Sequence, residues 1–187
     1  MKAGVLALQG DFREHAAVLA DIGASPVLVR TAAELDEVDC LAIPGGESTA
    51  IGRLARSHGL VEPIRERAGA GMPILGTCAG MIVMATEVVG GEPLLAVLDI
   101  RVARNAYGRQ VESFEADVSA PALEGGEVRG VFIRAPVVED VGDGVEILAE
   151  LDGRPVLVER GPLLAAAFHP ELAGDGRLHA RMLERVG

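Results

Sequence analysis

The chain has 187 residues, 49% hydrophobic and 24% charged, with 3% aromatics and no tryptophan. That length suits one compact unit with a full core, which must be built from Val, Leu, Ile and Ala, as in a sheet covered by helices. A net charge of −11 argues against nucleic acid or an anionic membrane as partner, and no apolar run is long enough to span a bilayer.

In chain order, residues 5–8 (Val-Leu-Ala-Leu) predict a buried strand, with no secretory pattern around them. Gln9-Gly10-Asp11 ends it. Apolar spacing at Phe12, His15, Ala16, Leu19 and Ile22 then predicts a helix over 12–22. Strands are expected at 27–29 and 40–43, with a short helix over 32–38 between them. After the loop Pro44-Gly45-Gly46, Ser48 or Thr49 is placed to cap a helix through residues 54–58. A further helix over 61–70 leads to a strand at 72–75. This alternation predicts a parallel sheet with helices on both faces, a three-layer α/β sandwich. In such folds the loops after the strands converge on one rim, where ligands bind. The second half reads instead as strands at 94–102, 113–118, 128–133, 145–151, 155–159 and 163–168 linked by turns, an antiparallel portion, followed by a helix over 176–185.

Cys78 lies in Gly76-Thr77-Cys78-Ala79-Gly80, a small-residue turn between an apolar strand and a helix. A nucleophile on such a turn stands clear of the backbone, and the positive end of the following helix favours thiolate. Cys40, inside an apolar strand, reads as core. The two cysteines lie far apart without neighbouring ligands, so zinc is not expected; two free thiols suit a reducing cytoplasm. Downstream, Phe168-His169-Pro170-Glu171 follows an apolar strand. Proline biases the preceding residue to extended geometry, which would place His169 and Glu171 on one side. A cysteine, a histidine base and a carboxylate orienter make a triad for acyl transfer. In Pro44-Gly45-Gly46-Glu47-Ser48-Thr49, the glycines offer one oxyanion N–H and Ala79 the other. Glu47 and Ser48 sit where they could hold a small polar ligand, unless Glu47 merely caps the helix after it. Arg104 and Arg134 read as ligand-binding residues or as surface salt-bridge arginines. His58 and His179 read as surface residues near helix ends, and His15 as a solvated or packed residue on a helix face.

The cysteine turn with His169-Pro170-Glu171 resembles the triad (class I) glutamine amidotransferases. The opening Gly4-Val5-Leu6-Ala7-Leu8-Gln9-Gly10, the segments 44–49 and 104–110, Phe114-Glu115-Ala116-Asp117 and Val131-Phe132-Ile133-Arg134-Ala135-Pro136 are similar to the glutaminase subunits of pyridoxal 5'-phosphate synthases. The resemblance spans nearly the whole chain and implies one amidotransferase domain over 1–187. It implies hydrolysis of L-glutamine to L-glutamate and ammonia, without cofactor or metal. The ammonia would pass to a partner synthase (lyase) subunit, in a large hetero-oligomer, for vitamin B6 biosynthesis. By motif, Cys78 is the nucleophile, His169 the base and Glu171 its orienter. Gly45 and Gly46 form the oxyanion loop, which rearranges when the partner docks. Gly46, Glu47, Ser48, Arg104, Ile133 and Arg134 contact glutamine, and Gln9 lies on the path between subunits. Ala106 and Tyr107 stand where the family often has Ser and Phe. A peptidase-like thiol hydrolase on the same architecture is the competing reading; it leaves segments 44–49 and 104–110 without a role.

Overall fold

The computed structural model describes residues 1–104 and 113–187. Its first half alternates as expected: β1 (Lys2–Leu6), α1 (Phe12–Asp21), β2 (Ser25–Val29), α2 (Ala32–Asp36), β3 (Cys40–Ile43), α3 (Ser48–Ser57), α4 (Val61–Gly69), β4 (Ile74–Thr77) and α5 (Ala79–Met84). The second half comprises β5 (Ala85–Val89), β6 (Leu98–Ala103), β7 (Ser113–Ser119), β8 (Glu127–Ile133), β9 (Val137–Val141), β10 (Glu146–Leu151), β11 (Arg154–Arg160), β12 (Leu163–Ala166), a 3₁₀ turn (Glu171–Ala173) and α6 (Arg177–Glu184).

Seven strands form the central sheet in the order β10-β11-β12-β4-β3-β1-β2. The run from β12 to β2 is parallel, and β10-β11-β12 continues it antiparallel. Because β1 connects outward to β2 while β3 and β4 lie on its other flank, the strand order reverses at β1/β3, where open α/β sheets bind ligands. Right-handed crossovers place α1 on one face of the sheet and α2, α3 and α4 on the other. α6 packs beside α1 and against β3 and β4, while α2 meets α4 and α3 meets α5. The strands β1, β3, β4 and β12 are almost wholly buried Val, Leu, Ile and Ala, as a sheet covered on both faces requires. Cys40 is fully buried among them, and its thiol is pushed up to about 12, mainly by burial.

The remaining strands build two smaller sheets, β5-β6-β9 and the hairpin β7-β8. Phe114 stacks on Phe132 at 4.7 Å, and Phe132 meets Phe168 at 5.4 Å. The His169 N–H donates to the Val131 carbonyl at 2.8 Å. The hairpin therefore braces the segment that leaves β12.

Four local expectations are corrected. Glu47, not Ser48 or Thr49, caps α3: its carboxylate accepts from the N–H groups of Thr49 and Ala50 at 2.9 and 2.8 Å. Pro170 adopts helical geometry (φ −66°, ψ −30°), so His169 and Glu171 meet across a tight turn rather than along an extended chain. β5 and β9 are additional strands. His179 is fully buried rather than on the surface. Asn105 to Gln110, including Ala106 and Tyr107, lie outside the described residues.

Candidate active site

The adjacent strands β12, β4, β3 and β1 all end at one rim, and each delivers part of a site. β4 delivers Cys78, whose backbone takes φ 48°, ψ −104°, a conformation that costs a non-glycine residue about 1–3 kcal/mol. Its N–H donates to the Ala166 carbonyl at 2.8 Å, which ties the turn to β12. Two residues on, a Cβ at Gly80 would sit 2.1 Å from the Ile43 carbonyl oxygen; only glycine lets α5 press this closely on the end of β3. The Cys78 thiol, 6% exposed, reaches the Ile133 carbonyl at 3.7 Å.

β12 delivers His169 and Glu171, 3% and 4% exposed. His169 Nδ1 lies 2.7 Å from Glu171 Oε1, which leaves Nε2 as the ring nitrogen for the sulfur. Burial opposes charge on His169, but hydrogen bonds to Cys78 and Glu171, reinforced by their charges, raise it to about 10. Burial likewise opposes charge on Glu171, yet His15 and His169 hold its carboxyl well below the usual carboxylate range. Asp11 Oδ2 lies 3.4 Å from His169 Nδ1. Desolvation raises the Asp11 carboxyl, partly offset by His169.

Behind Glu171 is a second buried layer. His15 on α1 places Nε2 3.0 Å from Thr77 Oγ1 and 3.4 Å from Glu171 Oε1. Its Nδ1 lies 2.8 Å from His179 Nε2 on α6. Thr77 donates to Glu171 Oε1 at 3.4 Å.

β3 and β1 deliver the loops 44–47 and 9–11, locked together. The Asp11 N–H donates to the Gly45 carbonyl at 3.3 Å, and the Glu47 N–H to Gln9 Oε1 at 2.8 Å. With the Gly45 carbonyl committed to Asp11, the Gly46 N–H across the same trans peptide points away from Asp11. Gly46 holds φ +144°, and a Cβ at Gly45 would stand 2.1 Å from His169 Cε1. Ala79 opens α5, so its N–H has no acceptor within the helix.

These groups surround a cavity of about 420 Å³ lined by Gln9, Asp11, Gly46, Glu47, Ser48, Cys78, Ala79, Ile82, Arg104, Ile133, Arg134 and His169. Of the residues expected at the site, only Glu171 and Gly45 are not in its wall. Glu171 lies behind His169, and Gly45 packs beside the His169 ring. Thr49 and Ala50 hold the Glu47 carboxyl below its ordinary value through their backbone N–H groups, and Arg104 adds to this. Arg104 also donates to Thr49 Oγ1 at 3.4 Å. An adjoining cavity of about 260 Å³ shares Ser48, Ile82 and Arg104 but touches neither Cys78 nor His169. Among the described residues, the one group of three potential metal donors is Asp11, His169 and Glu171, within 4.8 Å of one another; His169 Nδ1 is already engaged by Glu171 there.

Sequence reasoning left open whether His15 is packed and missed Asp11, Ile82, Thr77 and the depth of His179. A signal existed for both histidines. His15 shares the apolar period of α1, and His179 lies between Leu178 and Met182 on the buried face of α6.

Comparison with known proteins agrees with this geometry. Residues 5–186 match the model of the SNO glutamine amidotransferase family. The pyridoxal 5'-phosphate synthase subunit PdxT of Frankia casuarinae is 56% identical over 188 residues, covering 99% of this chain and 94% of that protein. The PdxT of Acidothermus cellulolyticus is 57% identical over 193 residues, covering 99% and 93%. A crystal structure described as a glutamine amidotransferase superposes with a TM-score of 0.94 at 51% identity, covering 99% of this chain and 98% of that one. PurLQS from Thermotoga maritima, at 18% identity and a TM-score of 0.73 over 100% and 98% of the two chains, shares the fold. With the family model matched almost end to end and relatives this similar over nearly their whole length, the chain belongs to the SNO glutamine amidotransferase family.

Proposed function

We propose that this protein is the glutaminase subunit of a pyridoxal 5'-phosphate synthase, hydrolysing L-glutamine with Cys78, His169 and Glu171 and handing the ammonia to a synthase subunit. Its relatives are named as subunits of that synthase, and the observation that carries the chemistry is the wall of the 420 Å³ cavity. There a thiol on a strained turn shares the space with an imidazole braced by a buried carboxylate.

The reaction is an acyl transfer in two halves. With the proton of the Cys78–His169 pair on His169 Nε2, the sulfur attacks the side-chain amide carbon of glutamine. The carbonyl oxygen becomes an oxyanion facing the Ala79 N–H and the Gly46 N–H, each such donor supplying about 3 kcal/mol. His169 returns the proton to the departing nitrogen, the C–N bond breaks, and ammonia leaves a thioester. Water then gives a proton to His169 and attacks the thioester; the C–S bond breaks, releasing glutamate and leaving that proton to the Cys78–His169 pair, as at the start. Glu171 keeps Nε2 directed at the sulfur and stabilises the imidazolium. Glu47 faces the substrate's ammonium, and Arg104 and Arg134 its carboxylate.

A free-running glutaminase would waste glutamine, and the locked 9–11 and 44–47 loops provide the element that a docked partner rearranges. Glutamate release is therefore expected to be slow for the isolated chain and to rise when the synthase is added. Cys78→Ala is expected to abolish release while the complex still assembles. Retained turnover in that variant, or hydrolysis indifferent to the partner, would overturn the proposal.

A further inference from the structure

We propose that His15 and His179 are positioning residues for the glutaminase reaction: a proton-ordered pair that aims an N–H at Glu171 and thereby fixes the carboxylate that orients His169. The inference rests on the triad reading above and extends it two residues deeper, from α1 and α6.

The proton order follows from counting donors. His179 and His15 share one short contact, 2.8 Å between Nε2 and Nδ1, so one of these nitrogens carries the hydrogen and the other accepts. Among the described residues His179 Nδ1 is buried without a partner. If His15 donated, the His179 proton would move to Nδ1 and become a buried, unpaired N–H. His15 Nε2, if then bare, would also turn a lone pair toward Glu171 Oε1 at 3.4 Å. If His179 donates, the atom left over is only an unfilled acceptor, and His15 Nε2–H points at Thr77 Oγ1 and Glu171 Oε1. Burial also keeps His179 neutral, pushing it down to about 3. The second order leaves no orphaned donor and directs His15, Thr77 and His169 toward a single oxygen, Glu171 Oε1. Among the described residues Glu171 Oε2 has no partner, so the groups that fix the carboxylate here act through Oε1. The charged groups around this pair are Asp11, His169 and Glu171 on the side of His15, and Asp175 on the side of His179.

Two measurements test this on the full chain. Long-range 1H–15N spectra of histidine-labelled protein are expected to show both His15 and His179 protonated on Nε2 and bare on Nδ1; a proton on His179 Nδ1 would overturn the order. In the synthase complex, His15→Leu is expected to lower kcat about 10- to 100-fold, with KM for glutamine within about twofold because no substrate contact is lost. Its acid limb should move to higher pH, since Glu171 loses a donor to its charged form. His15→Gln keeps an N–H near the Nε2 position and should recover most of the rate. Equal losses in both variants, tracking melting temperature with the pH limbs unmoved, would overturn the positioning role. A wild-type complex that releases no glutamate would refute the glutaminase reading instead, while the spectra still decide the proton order.

Discussion

The Cys78 backbone, held at φ 48°, points its sulfur into the cavity while its N–H is bound to Ala166. The strain is maintained by flanking residues that cannot be enlarged. Gly45 shows how narrow the tolerance is on the histidine side, because a methyl there would occupy the space of His169 Cε1. Gly45→Ala must push the imidazole or the loop aside. Since a displacement of about 1 Å in a reacting group costs about 100-fold, kcat for glutamine hydrolysis is expected to fall by that order while circular dichroism remains native. Unchanged kcat would mean that the loop yields freely and does not set the position of His169.

α1 and α6 join through the His15–His179 contact, and this has a consequence for stability. His179 is depressed from an ordinary 6.5 to about 3, by burial first and then by His15. Below pH 6.5 the unfolded chain binds a proton that the native chain refuses, so stability falls on acidification from 6.5 toward 3. His169 has the opposite sign. Raised from 6.5 to about 10, it contributes stability that is complete below 6.5 and lost as pH rises through 10. The sum of the two contributions is therefore greatest near pH 6.5. In urea titrations across pH, His179→Gln is expected to flatten the acid side, where the wild-type slope from this group approaches about 1.4 kcal/mol per pH unit, and to leave the alkaline side alone. Parallel curves for the two proteins would show that His179 takes up protons freely in the native state.

Elements of α1, β3 and α4 were legible because their apolar period is clean and Gly or Pro bounds them. β5 and β9 were not: each is five residues long, with two buried positions apiece in Ala85 and Val88, and in Val137 and Val138. Ser48 and Thr49 were the first candidates for the α3 cap because they are the commoner capping types, but the side chain of Glu47, the other candidate, folds back to reach the same N–H groups. The His169–Glu171 contact was anticipated with the wrong backbone, since Pro170 opens a 3₁₀ turn here rather than extending the strand. His179 was legible from its place between Leu178 and Met182 on the apolar face of α6, but a position near a helix end favours a surface reading.

At the scale of the whole molecule, the order β12-β4-β3-β1 explains why residues from 9 to 169 share one cavity: four adjacent parallel strands end at the same rim. The first-half alternation made that rim legible. The position of β12 was not, because the chain passes through two separate small sheets before returning to the central one. The account's central claim is that this rim presents Cys78 to a glutamine amide. A glutamine analogue carrying an electrophilic ketone in place of the amide, incubated with the synthase complex and mapped by peptide mass spectrometry, tests it most directly. One equivalent of label on Cys78, blocked by excess glutamine, is the predicted result; label on another residue, or none while glutamine is still hydrolysed, would contradict it.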